Sequence, residues 1–238
     1  MRLGMRRAIG CGVLGWLLSA AAAQPQPDVA GILKKVGETY KAASQYELAA
    51  KVSDAGNGAG ATGHMRFAFQ APNRYRMEGA IPGMLAGDAA SGGAVAVHDG
   101  AALWFYLPAS NQYGSIPASE LTADAPGDLG DARPEAMDRF MMIRYRDTAE
   151  YASGAKLVRE EAIDFGGAKA ECYVVTFSEE EGKPAYTWWV EKGRYRVLRE
   201  DHGGSSTVYT TIKLNEALPD ALFKFVPPAG ARKVELTR

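Results

Sequence analysis

Two stretches of the chain carry apolar side chains at the spacing of one helix face. Residues 28–44 place them at the i, i+3, i+4, i+7 positions, and Asp28 stands where an N-cap is needed. Residues 134–145 repeat the pattern, with Pro134 at the start. The apolar positions are Val29, Ile32, Leu33, Val36 and Tyr40 in the first stretch, and Met137, Phe140, Met141 and Tyr145 in the second. The pattern predicts two amphipathic helices.

Most of the remaining chain alternates apolar and polar residues with the period of a β-strand. In residues 64–70, for example, Met65, Phe67 and Phe69 alternate with polar side chains. The pattern predicts about nine to eleven short strands. They fall in residues 46–53, 64–70, 74–78, 94–98, 102–107, 156–165, 168–178, 185–191, 194–201, 206–214 and 223–226.

Short turns join these strands, and the turn residues indicate hairpins. Asp99-Gly100, Gly166-Gly167 and Lys192-Gly193 each separate two predicted strands. Successive hairpins make one antiparallel sheet, and no alternation of strand and helix indicates a parallel fold. No internal repeat or linker divides the chain. We therefore predict a single mainly β (α+β) domain over residues 24–238.

The first 23 residues have the form of a secretory signal peptide. Three arginines precede a short apolar run, and small residues lead to a predicted cleavage site after Ala23. The run is too short to span a bilayer as a helix. Cleavage would remove three basic residues and change the formal charge from −1 to −4. We expect an exported protein, periplasmic in a diderm bacterium, with no transmembrane segment in the mature chain.

Charge and reactive residues exclude several functions. The near balance of 27 basic and 28 acidic residues argues against nucleic-acid binding. His64, His98 and His202 lie far apart, and no catalytic or phosphate-binding motif is present. Cys172 falls inside a strand, which favours a buried, inert thiol. We predict a non-enzymatic protein with no catalytic residue, metal site or cofactor.

Large aromatic residues occur at consecutive positions in two predicted strands. Trp104, Phe105 and Tyr106 form one run, and Trp188 and Trp189 form another. Neighbouring side chains of a strand point to opposite faces, so both faces of the sheet need cover. Packing within the protein is the simpler explanation for each aromatic taken alone. As a set they also suit an apolar ligand on one face.

Four segments resemble the periplasmic carriers of outer-membrane lipoproteins and their wider lipoprotein-sorting-like (LolA-like) superfamily. They are the predicted signal peptide and first helix, the MRFAFQAPNRYR run at residues 65–76, the VHDGAALWFY run at 97–106, and the FKFVPPAGA run at 223–231. Each motif is weak alone, but together and in this order they cover nearly all of the predicted mature chain.

The resemblance implies an unclosed β-barrel of about eleven antiparallel strands, with helices as a lid over its concave, apolar face. In that family the cavity holds the acyl chains of lipoproteins during sorting to the outer membrane, a transport chaperone role. The resemblance departs at one position: the carriers have an arginine just before the proline of the second motif, and it tethers the lid. Ala71 stands there instead, and Arg74 is not its equivalent.

Two hypotheses of function follow. The first is a binding protein for acyl chains, lipoproteins or other apolar ligands, with inner- or outer-membrane partner proteins that open the lid. The second is an envelope-stress sensor or protein-interaction scaffold with the same fold. We select as candidate ligand-binding residues of the hydrophobic cavity Phe67, Phe69, Met77, Trp104, Tyr106, Met137, Met141 and Trp189.

Overall fold

A computed structural model of the chain describes residues 28–54, 61–80, 93–122, 131–148, 154–178 and 185–235. The predicted signal peptide lies outside these ranges. So do most of the glycine-rich connection expected over residues 79–93 and the charged turn expected over residues 179–184.

Both predicted helices are present. α1 spans Val29–Lys41, and the Asp28 carboxylate accepts hydrogen bonds from the N–H groups of Ala30 and Gly31 at 3.2 and 3.3 Å. α2 spans Pro134–Arg146 and begins with its proline. The two helices pack together, with the rings of Tyr40 and Tyr145 stacked 4.8 Å apart. The sequence pattern therefore identified both helices and the cap of the first.

Twelve strands form one sheet in the order β12-β6-β5-β4-β3-β2-β1-β11-β10-β9-β8-β7. All neighbours are antiparallel except β12 and β6, which are parallel. The strands are β1 Gln45–Asp54, β2 Ala61–Gln70, β3 Arg74–Ala80, β4 Ala94–His98, β5 Ala102–Leu107, β6 Gln112–Pro117, β7 Lys156–Phe165, β8 Ala168–Phe177, β9 Tyr186–Glu191, β10 Val197–His202, β11 Ser205–Leu214 and β12 Arg232–Lys233.

The sheet is mainly antiparallel and not closed, as predicted. Its two ends, β12 and β7, are not paired with each other in the part of the chain that the structure describes. Some Cα atoms of β7 nevertheless come within 8 Å of β11, although three strands lie between them in the sheet order. That end of the sheet is therefore curled. The first strand lies near the middle of the sheet, where it pairs with both β2 and β11.

Two details at the C-terminal end differ from the prediction. Residues 223–226 were expected to form a strand, but a 3-10 turn, Asp220–Phe223, precedes extended chain there, and the last strand is β12. The strand β6 lies in a stretch that was expected to be irregular. Its Gly114 leaves space for the ring of Phe105 on β5, which a Cβ atom would overlap. In a sequence a glycine often indicates a turn, but Gly114 lies inside a strand and is required there by packing.

Cross-strand register divides the sheet into two faces. Leu48 lies opposite Phe67, Phe67 opposite Met77, and Met77 opposite Ala96, so these side chains share a face. On the other half of the sheet, Trp188 contacts Tyr145 of α2 at a ring separation of 5.4 Å. We call this side the helix face and the other side the opposite face. The large buried side chains of the helix face are Tyr46, Leu48, Phe67, Phe69, Tyr75, Leu103, Phe105, Tyr186, Trp188 and Tyr209.

The C-terminal strap, residues 218–233, crosses the opposite face. Near its start, Leu218 and Phe223 pack on the buried Ala68 of β2. Further along, Phe225 stacks on Trp104 at 5.5 Å with the ring planes 13° apart. The strap ends as β12 beside β6. It joins strands that are widely separated in the sheet order and buries apolar residues that the helices cannot reach.

Candidate functional site

Five of the eight predicted cavity residues lie at the interface between α2 and the helix face or along that face. Phe67 and Phe69 are buried there, and Met77 is partly buried against the same core. Met137 and Met141 pack on this core from α2, also partly buried. Their arrangement agrees with an apolar surface under a helix, and their role in ligand binding stays a prediction.

The other three residues lie on the opposite face. In β5 it is Phe105, opposite Ala96, that belongs to the helix face, which places Trp104 and Tyr106 on the other side. Trp104 is stacked under the strap. The same holds in β9, where Trp188 faces α2 and Trp189 does not. The eight residues therefore do not form one surface.

Trp189 is buried by charged side chains of its own face. Arg199 lies over its ring at 4.3 Å and Arg159 at 5.9 Å, and its indole N–H donates to Glu161 at 3.1 Å. A cation over an aromatic face is attracted by the quadrupole of the ring. These contacts give Trp189, which is 5% exposed, a structural role in the sheet.

Aromatic rings line the helix face along β1, β2 and β3. Tyr46 lies 5.5 Å from Phe69 and 5.9 Å from Phe67, and Phe67 lies 6.0 Å from Tyr75, all between ring centroids. Such separations are typical of favourable offset contacts. The rings give a broad apolar surface with few polar interruptions, and α2 covers part of it.

One interruption is a buried carboxylate under α2. Glu200 of β10 accepts hydrogen bonds from Arg144 of α2 at 3.1 Å and from the indole N–H of Trp188 at 2.7 Å. Only 12% of the Glu200 side chain is exposed. Burial raises the pKa of Glu200, and Arg144 and Trp188 oppose that shift. The hydroxyls of Tyr145 and Tyr209 lie 2.7 Å apart beside it and join α2 to β11.

A second polar contact fixes α2 through Asp138. The Tyr46 hydroxyl donates to Asp138 at 2.9 Å, and Arg146 donates to the same carboxylate at 2.6 and 3.0 Å. Arg146 also donates to the Tyr40 carbonyl at 3.3 Å. Burial raises the pKa of the Tyr46 phenol, and the Asp138 charge adds to the shift. We call the two contacts, Arg144–Glu200 and Tyr46–Asp138–Arg146, the polar latch.

Sequence reasoning did not find the polar latch, although one signal was available. In β10, Leu198, Glu200 and His202 alternate and so must share a face. A carboxylate on the face of a buried leucine needs a partner, and α2 is rich in arginine.

The outer side of α2 is partly apolar. Phe140 is 63% exposed and Ile143 is 38% exposed, one turn apart on the helix. Met142 and Tyr145 are the residues that α2 buries most deeply in this turn. The helix thus presents apolar side chains to both the sheet and the solvent.

Reactive groups are sparse in the described part of the chain. No cluster of three His, Cys, Asp or Glu side chains there could hold a metal ion. Cys172 is buried, and burial raises the pKa of its thiol to about 12. At neutral pH it is therefore a thiol and not a reactive thiolate. None of the described helices is long and apolar enough to cross a bilayer.

No family model matches the chain. The sequence is 26% identical over 203 residues to an uncharacterized protein, MJ0687, of Methanocaldococcus jannaschii. The match covers 84% of this chain and 52% of that protein, so the chain spans about half the length of this curated relative.

The solved structures to which the chain is similar include the following three. Lipoprotein LppX of Mycobacterium tuberculosis is 14% identical, with a TM-score of 0.47 over 80% of this chain and 96% of that one. A LolA superfamily protein of Nitrosomonas europaea is 17% identical, with a TM-score of 0.31 over 84% of this chain and 99% of that one. A chain of the MucA/MucB complex of Pseudomonas aeruginosa is 11% identical, with a TM-score of 0.41 over 84% of this chain and 62% of that one.

These solved structures include a member of the LolA superfamily, which the sequence motifs resemble. Since the TM-scores of these structures all lie below 0.5, the likeness concerns the general architecture and extends to no ligand or partner.

Proposed function

We propose that the mature protein is a non-enzymatic, periplasmic binding protein for acyl chains, and that α2 is a removable cover over the binding surface. The observation that carries this proposal is the way α2 is attached. Its apolar contacts include the partly buried, flexible Met137 and Met141, and the polar latch holds it at two points. Met142 and Tyr145 of α2 are buried as well, but all of these contacts are made by side chains, so α2 can move without breaking any ladder of the sheet.

The energetics suit a chain-like ligand. Each methylene group removed from water contributes about 0.8 kcal/mol, so burial of a few methylenes offsets the cost of moving α2. Methionine side chains adapt to apolar partners of different shape. An acyl chain lying between α2 and Phe67, Phe69 and Met77 would replace contacts that Met137 and Met141 now make.

Acylated lipoproteins are the cargo that best fits a carrier of this kind. A partner in the inner membrane would load the chains, and one in the outer membrane would receive them. Each partner would shift the population of open and closed α2 through its higher affinity for the open state. On this proposal the protein takes part in lipoprotein sorting as a carrier or chaperone without catalysis.

The test uses the chain from residue 24 onward, delipidated and refolded. We expect native mass spectrometry to detect a complex with a triacylated lipopeptide, and that lipopeptide to displace a fluorescent fatty acid. Arg144→Gln weakens the latch and should speed uptake of the probe severalfold. Lys169→Gln, on the distant β8, serves as the matched control and should change nothing. If neither the wild type nor Arg144→Gln binds the probe or the lipopeptide, the proposal is wrong.

The second candidate is a protein-interaction scaffold or envelope-stress sensor. The exposed Phe140 and Ile143 of α2 favour it, because exposed apolar residues on a helix can bind a partner's groove. It predicts a stable complex with the periplasmic domain of a membrane protein in the absence of lipid. Pull-down from envelope extracts with Phe140→Ser as the comparison separates it from the first candidate: loss of the complex with unchanged fatty-acid binding supports the scaffold.

A further inference from the structure

A groove of about 590 Å³ lies at the end of the β1–β2–β11 region. Its size falls within the range of small-ligand sites. The lining residues are Lys51, Val52, Ser53, Thr62, Gly63, His64 and Val208. Most of these side chains belong to the opposite face of the sheet. The groove is therefore separate from the surface under α2.

Register brings the polar groups of the groove together. Lys51 lies directly opposite His64 on β2 and opposite Val208 on β11. Ser53, two residues further on, lies opposite Thr62. Side chains in such positions have Cβ atoms roughly 5 Å apart, so an ammonium group, an imidazole and two hydroxyls can reach one ligand.

Lys51 differs from the other basic residues around it. On this face Arg66 and Lys213 pair with Glu47, and Arg199 pairs with Asp201, which also accepts a hydrogen bond from Ser206 beside the groove. Lys51 makes no ion pair with any residue that the structure describes. Its exposed positive charge at a groove with hydroxyl and imidazole donors matches an oxyanion in charge and in hydrogen bonding.

We propose that this groove binds the phosphate group of an amphiphile, with Lys51 as the counter-ion, Ser53, Thr62 and His64 as hydrogen-bond donors, and the aliphatic part of the ligand against Val208. Val52 and Val208 give the groove an apolar part, which a free inorganic ion would leave exposed to water. A phosphate ester on a hydrocarbon chain uses both the charged and the apolar parts. The site does not depend on the proposed binding of acyl chains under α2.

NMR titration tests the proposal, with the imidazole signals of His64, assigned by loss in His64→Gln, as the reporter. Three probes are used: octyl phosphate below its micellar concentration, inorganic phosphate and octyl glucoside. We expect saturable shifts of His64 with octyl phosphate. Inorganic phosphate should shift the same signals with at least about tenfold lower affinity, because it lacks the chain. Octyl glucoside should not shift them.

Variants show whether the groove itself is responsible. Lys51→Gln should weaken octyl phosphate binding at least about tenfold, the usual cost of one charge-assisted hydrogen bond. Lys51 is exposed, so this variant should fold, and its thermal unfolding checks that. Lys169→Gln is the matched control on a distant strand and should bind as the wild type does.

Three results would overturn the proposal: no saturable shift of His64, equal affinity for octyl phosphate in Lys51→Gln, or inorganic phosphate binding as tightly as octyl phosphate. Displacement of the fluorescent fatty acid, measured in parallel, reports the surface under α2. Its outcome is independent, so failure of one site is distinguishable from failure of the other.

Discussion

The helix face and the opposite face of the sheet each hold a largely buried carboxylate, but its bonding partners differ between the two faces. On the helix face, Glu200 and Tyr46 are bonded to side chains of α2, which lies outside the sheet. On the opposite face, the buried Glu47 is bonded to Arg66 and Lys213 of the strands beside it. The polar groups of one face thus attach a separate helix, and those of the other join neighbouring strands.

This difference separates what can move from what cannot. Displacing α2 breaks the polar latch and exposes apolar residues, but leaves every strand pairing in place. Removing the Glu47 contacts weakens the central β1–β2 and β1–β11 pairings themselves. We therefore expect conformational change on the helix face and rigidity on the opposite face. Four predictions test this contrast, from the largest expected effect to the smallest.

The largest effect is expected from Trp188→Ala on the helix face. The side chain is fully buried, and its ring contacts Phe177 at 4.7 Å and Tyr145 at 5.4 Å. The resulting cavity should lower the free energy of unfolding by about 3–5 kcal/mol. Trp104→Ala on the opposite face is the comparison, and should cost about 1–2 kcal/mol because Trp104 is only partly buried. Urea denaturation measures both; equal losses would contradict the contrast.

Arg144→Gln should have the next largest effect. It leaves the Glu200 carboxylate buried without its cation, which should cost about 2 kcal/mol, less than for a fully buried pair because Arg144 is 37% exposed. Arg66→Gln should cost under about 1 kcal/mol, since Lys213 still bonds to Glu47 at 2.9 Å. Hydrogen exchange should show faster exchange in α2 for Arg144→Gln alone. Unchanged exchange in α2 would refute the latch.

Phe225→Ala tests the strap. Loss of the stacking on Trp104 and of the contact with Tyr113, 5.6 Å away, should cost about 1 kcal/mol. The C-terminal segment should then be cut earlier in limited proteolysis, while the helices stay protected. Val226→Ala, next to it and 78% exposed, should behave as the wild type. Early cleavage near α2 in Phe225→Ala would show that the two faces are coupled.

The smallest effect is expected in the pH dependence of stability, where the two faces have opposite signs. The pKa of Glu200 is raised by burial, so the folded protein holds its proton more tightly and this group adds stability as the pH falls through the raised pKa towards its ordinary value near 4.5.

For Glu47, burial alone would raise the pKa, but hydrogen bonds from Lys213 and Arg66 outweigh it and the pKa is lowered. Its contribution is present above the ordinary value and is lost as the pH falls through the lowered pKa. Glu200→Gln should therefore flatten the pH dependence of the urea midpoint above about 4.5. Glu47→Gln should flatten it below that value. The reverse assignment would contradict the contrast.

Local patterns in the sequence were enough to predict both helices and most strands. The Asp28 cap, the Asp99-Gly100 hairpin and the alternation in β2 each depend on residues close in sequence. The β6 and β12 strands were not predicted, because β6 carries glycine and proline residues that are typical of turns and β12 pairs only with the distant β6. Gly114 suits β6 only because Phe105 fills its space, and β12 is too short to show any alternation.

The candidate site was predicted less completely for a similar reason. Alternation shows that Trp104 and Phe105 occupy different faces, but not which face lies under the helices. The face is decided by the register across several strands. In the structure Phe105 and Trp188 lie on the helix face, where Trp104 and Trp189 were expected. The latch was missed because its members come from β1, α2 and β10, with no common motif.

The pairing of β1 with β11 also constrains the order of folding. Glu47 and Lys213 are 166 residues apart along the chain, yet they bond across the middle of the sheet. The chain is synthesised from its N-terminus, so β1 cannot pair with β11 until the last strands have been made. Contacts so distant in sequence form slowly. We therefore expect the edge of β1 that pairs with β11 to stay unpaired in the half-made protein.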